Sequence, residues 1–86
     1  MIDLKNLSRD DLEFVALMAI TFLRHDEIEF NYCDIDFGVD YKDGKIWVYE
    51  CAENGRSMYF NNDEEFFEVF LLNEKEFLVK IKELLK

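Results

Sequence analysis

One dipeptide constrains the fold of this chain more than any other feature: Asp43-Gly44, which lies between two segments of alternating apolar and polar residues. Asp-Gly is typical of a two-residue type I′ turn, because both residues tolerate positive φ and the turn follows the twist of paired strands. Such a turn also sets the register of its hairpin. The predicted pairs are Lys42 with Lys45, Tyr41 with Ile46, Asp40 with Trp47, Val39 with Val48, and Gly38 with Tyr49.

Another strand is predicted before this hairpin. Ile28, Phe30 and Tyr32 alternate with polar residues, as in a strand with one buried face. The alternation changes phase at Tyr32–Cys33, which indicates either a bulge or a connection between two strands. We interpret it as a short first strand followed by a distinct second one.

The turn near Gly55 admits two registers. A two-residue Asn54-Gly55 turn would place Met58 and Phe60 on the polar side of the sheet and split the apolar set. A three-residue turn, with Gly55 as the left-handed residue of a G1 bulge, keeps both with the other apolar residues. We prefer the second register, because burial of one face determines how strands pair.

Helical patterns flank the strands in the sequence. Ser8 is a candidate N-cap for a first helix that is expected to end near Arg24–Asp26. Apolar residues continue around this helix, which predicts deep burial. Its main stripe comprises Leu12, Val15, Ala16, Ala19, Phe22 and Leu23. After the strands, Asn61 or Asn62 can cap a helix and Asn73 a further one, so that one long helix or two helices fit the pattern.

The predicted architecture is a single α+β domain over residues 1–86. Its order is α-β-β-β-β-α-α. The N-terminal helix and one or two C-terminal helices lie on one face of an antiparallel sheet of three to four strands.

Charge excludes several classes of function. The chain has 10 Lys and Arg against 20 Asp and Glu, a net charge of −10, which disfavours direct binding to nucleic acid or to an anionic membrane. No run of about 18 apolar residues or secretory leader is visible, so a cytoplasmic location is predicted. Cys33 and Cys51 lie about 10 Å apart in the predicted register, beyond disulfide reach. Two free thiols are therefore expected.

No residue pattern indicates catalysis or a cofactor. His25 is the only histidine, and its place after a helix favours a role as a charge partner at the helix C-terminus. Asp34, Asp36 and Asp40 share one side of a strand, but side chains two residues apart diverge and do not form a metal site. We therefore predict a protein that is not an enzyme and that uses no cofactor and no metal.

The polar side of the predicted sheet is the better candidate for function. The register collects there Asp36, Gly38, Asp40, Trp47, Tyr49, Cys51, Ser57 and Tyr59. Trp and Tyr beside carboxylates are typical hot-spot residues for a protein partner that offers Arg or Lys. The competing interpretation is that these aromatic pairs only stabilise the sheet, or that a helix covers them.

Negative charge is concentrated in two segments. Residues 26–43 hold seven acids and one lysine, and residues 50–68 hold six acids and one arginine. The second segment includes Glu64, Glu65 and Glu68 at the start of a helix, where acids also favour the helix dipole. An array of carboxylates on a rigid surface can take the place of phosphates in a basic groove.

Two resemblances follow from these features. The element order is similar to that of the double-stranded RNA-binding domain, but Asp63-Glu64-Glu65 stands where such domains carry a basic run, so that function is not carried over. In size, charge and order, the chain resembles the small acidic inhibitors of phages and mobile elements, such as anti-CRISPR proteins and DNA mimics. The resemblance implies blockade of the basic groove of a nucleic-acid-binding host protein.

The hypothesis that follows is a binding inhibitor. Its predicted partner-binding residues are Asp34, Asp36, Asp40, Trp47, Tyr49 and Tyr59, with Glu64, Glu65 and Glu68 as a secondary acidic patch. The alternative is a structural or regulatory adaptor that homo-oligomerises through its aromatic surfaces. A monomer and a homodimer are both compatible with the sequence.

Overall fold

The computed structural model describes residues 2–86 and has the predicted α+β order. A short 3-10 turn at Leu4–Asn6 precedes the first helix. The elements are α1 (Arg9–Arg24), β1 (Glu27–Tyr32), β2 (Ile35–Lys42), β3 (Lys45–Glu50), β4 (Ser57–Phe60), α2 (Asp63–Phe70) and α3 (Glu74–Leu84). The four strands form one antiparallel sheet in the order β1-β2-β3-β4. The C-terminal region thus forms two helices.

Side-chain caps determine where each helix begins. The Ser8 Oγ accepts a hydrogen bond from the backbone N–H of Asp11 at 3.2 Å, as expected for the start of α1. The Oδ1 atoms of Asn62 and Asn73 accept from the N–H three residues on, at 2.9 and 3.0 Å. Because Asn73 starts a new helix three residues after α2 ends, the chain changes direction between α2 and α3.

The central hairpin has the predicted register, with Asp40 opposite Trp47 and Gly38 opposite Tyr49. Asp43 and Gly44 have φ of 55° and 76°, as a type I′ turn requires. The phase change at Tyr32–Cys33 is a connection between β1 and β2.

The β1–β2 connection corrects the position of Asp34. Cys33 and Asp34 have φ of 52° and 62° and form a second tight turn of the same kind. Asp34 therefore lies in this turn and not in the strand with Asp36 and Asp40. Neither turn residue is glycine, although Asp is among the few other residues that adopt positive φ with little strain.

The strands on either side of the β3–β4 connection pair in the predicted register, but the connection does not have the predicted backbone conformation. Val48 lies opposite Met58, as expected. Gly55 is not among the residues with positive φ, so the G1 bulge is wrong. The predicted three-residue turn is also wrong, because the connection covers residues 51–56. Instead the Gly55 N–H donates to the Ala52 carbonyl at 3.1 Å, and a Cβ at position 55 would lie 2.1 Å from the Glu50 carbonyl oxygen. The glycine is required by this close approach of two backbone segments.

The core lies between one face of the sheet and the three helices. Fully buried residues come from both layers, among them Phe37 and Ile46 of the sheet and Phe66, Phe70 and Phe77 of the helices. Aromatic rings dominate this layer and pack edge-to-face or stacked.

The predicted deep burial of α1 is wrong. Only Met18, Thr21 and Phe22 of this helix are buried, whereas Ile20 and Leu23 are 50% and 81% exposed. A two-layer fold covers a helix on one side only, so a helix that is apolar all round keeps one apolar side in solvent. His25 ends α1 in a left-handed conformation with φ of 54°.

Gly55 provides a test of the β3–β4 connection. We expect Gly55→Ala and Gly55→Asn each to lower the free energy of unfolding by about 1–3 kcal/mol, because either Cβ displaces the Glu50 carbonyl. At Gly44, where the surroundings are open and φ is +76°, Asn should cost less than about 1 kcal/mol, since it adopts left-handed φ readily. Urea denaturation of the three variants measures these differences. If Gly55→Asn were clearly more stable than Gly55→Ala, residue 55 would have a left-handed backbone conformation, which would contradict this explanation.

The raised pKa of Tyr32 leads us to expect a loss of stability at alkaline pH. Burial, with smaller effects of Cys33 and Asp11, raises the pKa of Tyr32 from 10.0 to about 12, and its hydroxyl donates to the Leu72 carbonyl at 3.4 Å. Because the folded pKa lies above the unfolded value, this contribution is complete below pH 10 and is lost as the pH rises through 12. The Tyr32→Phe variant should therefore show a flatter decline of unfolding free energy between pH 9 and 12. An unchanged slope, equal to that of the exposed Tyr59→Phe control, would contradict the assignment.

Candidate functional site

The side of the sheet that faces away from the helices carries the candidate site, and we call it the open face. Strand alternation and register place on it the side chains of Glu27, Glu29, Asn31, Asp36, Asp40, Trp47, Tyr49, Ser57 and Tyr59, with Gly38 between them. Lys42 and Lys45, which are opposite each other beside the β2–β3 turn, lie at the end of the same face. None of the core residues lies on this side. The open face therefore combines carboxylates from β1 and β2 with aromatic rings from β3 and β4.

Trp47 and Tyr59 form an exposed aromatic pair. They are directly opposite on β3 and β4, and their rings stack with centroids 5.4 Å apart and planes at 21°. Trp47 is 41% and Tyr59 63% exposed, so no helix covers them. The pair stabilises the sheet locally and still offers a wide apolar surface to solvent.

Tyr49 lies across Gly38 and connects the aromatic and acidic halves of the open face. A Cβ at position 38 would lie 2.2 Å from Cζ of Tyr49, so the ring rests directly on the glycine backbone. Burial, followed by the charges of Glu27, Cys51, Glu29 and Asp40, raises the pKa of the Tyr49 hydroxyl. The hydroxyl oxygen also lies over Gly38, 2.4 Å from the position of a Cβ there.

Two carboxylates of the open face lie opposite each other and repel. Glu27 lies directly opposite Asp40 in the β1–β2 register, and like charges in that position destabilise a sheet. Asp36 differs, because its Oδ1 accepts a hydrogen bond from Asn31 Nδ2 at 2.8 Å. The side-chain ion pairs of residues 2–86 lie elsewhere, at Arg9–Glu13, Arg56–Glu50 and Lys80–Glu83.

The structure brings together five of the predicted site residues and separates the others. Asp36, Asp40, Trp47, Tyr49 and Tyr59 share the open face. Cys51, also predicted there, follows the end of β3, where its N–H donates to the Asp36 carbonyl at 2.8 Å. It is exposed, and both cysteines are free.

Four predicted acids lie outside the open face. Asp34 occupies the β1–β2 turn. Glu64, Glu65 and Glu68 belong to α2, which lies in the helical layer on the opposite side of the sheet from Trp47. The Glu65 Oε2 accepts a hydrogen bond from the N–H of Asn61 at 3.0 Å, so this acid already contributes to the start of α2. These residues form no continuous surface with the aromatic pair.

Glu27 and Glu29 are the site residues that sequence reasoning missed. Their alternation with Ile28 and Phe30 placed them on the polar side of β1, but only the tight turn at Cys33-Asp34 sets them beside β2. Recognition of that turn as a hairpin would have placed both acids opposite Asp40 and Gly38.

Three further features of residues 2–86 bear on function: the position of His25, the possible metal ligands and the length of the helices. His25 caps α1 and packs edge-on against Tyr41, with centroids 4.8 Å apart. Within residues 2–86, no three His, Cys, Asp or Glu side chains converge as metal ligands. In the same range, no helix has the length and apolar character needed to cross a membrane.

Comparisons with protein-family models, with curated proteins and with solved structures found no match to this chain. We therefore argue its function from the geometry of the open face.

Gly38→Ala tests the position of Tyr49. The added Cβ must displace the ring, and the flexible side chain can move away from the carboxylates of β1 without unfolding the sheet. We expect the pKa of Tyr49, followed by NMR of its Cζ during a pH titration, to fall toward its ordinary value. Glu68→Gln, which removes a carboxylate from the helical layer, should leave it unchanged. A Tyr49 pKa that is the same in Gly38→Ala and in the parent protein would contradict this position.

Proposed function

We propose that this chain is a non-enzymatic binding protein whose open face occupies the basic groove of a nucleic-acid-binding protein and blocks it. The observation that carries the proposal is the acidic cluster of Glu27, Glu29 and Asp40 beside the exposed Trp47–Tyr59 pair. An acidic surface next to apolar rings matches what a basic groove with apolar patches offers.

The acidic cluster costs stability, and within residues 2–86 its carboxylates form no ion pair. Glu27 and Asp40 are like charges directly opposite on paired strands, which destabilises the sheet. In a groove lined by Lys and Arg, the same carboxylates would be paired and would replace the phosphates that the groove normally binds. Binding would therefore remove a repulsion that the free protein retains.

The aromatic residues supply the part of the affinity that charge alone does not. Trp and Tyr are enriched among residues whose truncation weakens interfaces most. Trp47 and Tyr59 present ring faces on which an arginine guanidinium can stack. Because Tyr49 fills the space between them and the carboxylates, the whole surface can be desolvated together.

The remaining acids act at longer range. A net charge of −10 attracts a basic partner before contact, and this steering raises the association rate. Asp34, Glu64, Glu65 and Glu68 contribute to this field without touching the partner at the open face. The same field disfavours an adaptor that self-associates through its open face, because the carboxylates of two copies would then face each other.

The binding experiment uses the heparin-binding fraction of a bacterial lysate. The immobilised chain should capture a protein from this fraction that Asp36→Lys/Asp40→Lys fails to capture. In a competition assay, one equivalent of the chain should release that protein from its nucleic acid. Captured proteins that keep their nucleic acid would contradict blockade.

The association and dissociation rates of variants distinguish long-range electrostatic attraction from direct contact. Asp36→Lys/Asp40→Lys should slow association by about tenfold or more, as should added NaCl, which screens charges beyond about 8–10 Å. Trp47→Ala should instead raise the dissociation rate by about tenfold or more. Glu68→Lys/Glu83→Lys, an equal change of charge in the helical layer, should slow association less. Equal effects of the two double reversals would show that the open face is not the contact surface.

A further inference from the structure

The outer side of α1 carries an apolar stripe that the fold leaves in solvent. Leu12, Ala16, Ile20 and Leu23 follow one another at helical spacing and lie within about 80° of the helix surface, given about 100° per residue. The three larger side chains are 40%, 50% and 81% exposed. Leu17, 45% exposed, borders these four residues, which we call the α1 stripe.

We propose that the α1 stripe is a homodimer interface, in which the α1 helices of two copies pack antiparallel about a two-fold axis. Such an interface is isologous, so each residue of the stripe meets the symmetry-related part of the same stripe. Leu12 of one copy then lies near Leu23 of the second copy, and Ala16 near Ile20. The small Ala16 at the centre allows the two helices to approach closely.

Charge favours a second copy as the occupant. The two acidic segments, residues 26–43 and 50–68, carry the negative charge of the chain, and α1 lies outside both. Two copies can therefore meet at α1 with the acids of β1 and β2 turned away from each other, on the far side of each sheet. The open face, on the other side of the sheet, stays free in this dimer.

The residues beside the stripe favour the antiparallel arrangement. Glu13 and Arg24 lie on the same flank of α1, near its opposite ends. A two-fold axis across the helices brings equal flanks together, so Arg24 of the second copy lies beside Glu13. Within residues 2–86, Glu13 pairs with Arg9 at 3.2 Å and Arg24 forms no ion pair. Antiparallel helix dipoles add to this preference, whereas parallel packing would bring opposite flanks together and separate Glu13 from Arg24.

A groove on the other flank fits the same geometry. It has a volume of about 390 Å³ and is lined by residues that include Ala19 and Leu23 of α1, His25, and Tyr41 of β2. In the antiparallel pair, this end of α1 faces the N-terminal end of the second copy. Leu12 of the second copy is then the apolar side chain closest to the groove.

A membrane surface is the less favourable occupant. Helices that lie on membranes carry Lys and Arg on their polar side, whereas the first turns of α1 carry Asp10, Asp11 and Glu13. Anionic headgroups would repel these acids. We keep membrane binding as an outcome that the experiment must distinguish.

Sedimentation equilibrium of the purified chain over a wide concentration range tests the dimer. The mass should rise from 10.4 kDa toward twice that value, in a concentration-dependent equilibrium, since an interface of one helix per copy is small. Ile20→Glu/Leu23→Glu should raise the dimer dissociation constant by more than about tenfold. The matched control is Val79→Glu, because Val79 is 60% exposed on α3, outside the stripe. Circular dichroism checks that each variant is folded.

Charge exchange tests the orientation. Glu13→Arg and Arg24→Glu should each weaken the dimer, and the double variant should restore it, because the pair then re-forms with its charges reversed.

A chain that stays monomeric, or that loses its dimer equally on Val79→Glu, overturns the proposal. A failure of the double variant to restore the dimer overturns the antiparallel packing. Stripe-dependent binding of the monomer to phosphatidylglycerol vesicles would assign the stripe to a membrane instead. None of these outcomes depends on the proposed partner of the open face.

Discussion

The packing of Phe70 between the two layers is the interaction on which the rest of the structure depends. This fully buried ring lies 5.5 Å from Phe37 of the sheet and 4.5 and 5.0 Å from Phe66 and Phe77 of the helices. It joins both C-terminal helices to one face of a sheet that has no cover on its other face. With a single apolar layer in a molecule 19 Å thick along its shortest axis, two outer surfaces remain open for binding.

Much of the fold was predictable because local turn chemistry and burial agreed. Asp43-Gly44 determined the register of β2 and β3. Asn61 or Asn62 was predicted to start α2 and Asn73 to start α3, and the caps in the structure are Asn62 and Asn73. The pairing of β3 with β4 was also predicted, since only one register keeps Met58 on the apolar side. This register was correct even though the conformation assigned to Gly55 was wrong, because burial and not the turn determines it.

The remaining features depended on tertiary contacts that a periodic pattern does not contain. Gly55 is required by the approach of the Glu50 carbonyl, which only the folded backbone reveals. The exposed side of α1 has the composition of a buried one, so sequence could not distinguish core from an outward apolar stripe. Glu27 and Glu29 joined the open face only through the Cys33-Asp34 turn, which lacks a glycine. For the site as a whole, the aromatic residues and Asp40 were predicted, whereas Glu27 and Glu29, two of the three acids of the cluster, were not.

The most direct test of the open face uses Trp47, the only tryptophan in the chain, as a fluorescent probe. Its emission should be quenched by neutral acrylamide, because the ring is exposed. Relative to a free tryptophan derivative, Cs⁺ should quench it more strongly and iodide more weakly, because Asp40 lies directly opposite Trp47 and the net charge of −10 attracts cations and repels anions, which outweighs Lys42 and Lys45. Asp36→Lys/Asp40→Lys should reduce this difference, whereas Glu68→Lys/Glu83→Lys should largely preserve it. A tryptophan shielded from acrylamide, or quenched equally well by both ions, would contradict an exposed acidic and aromatic face.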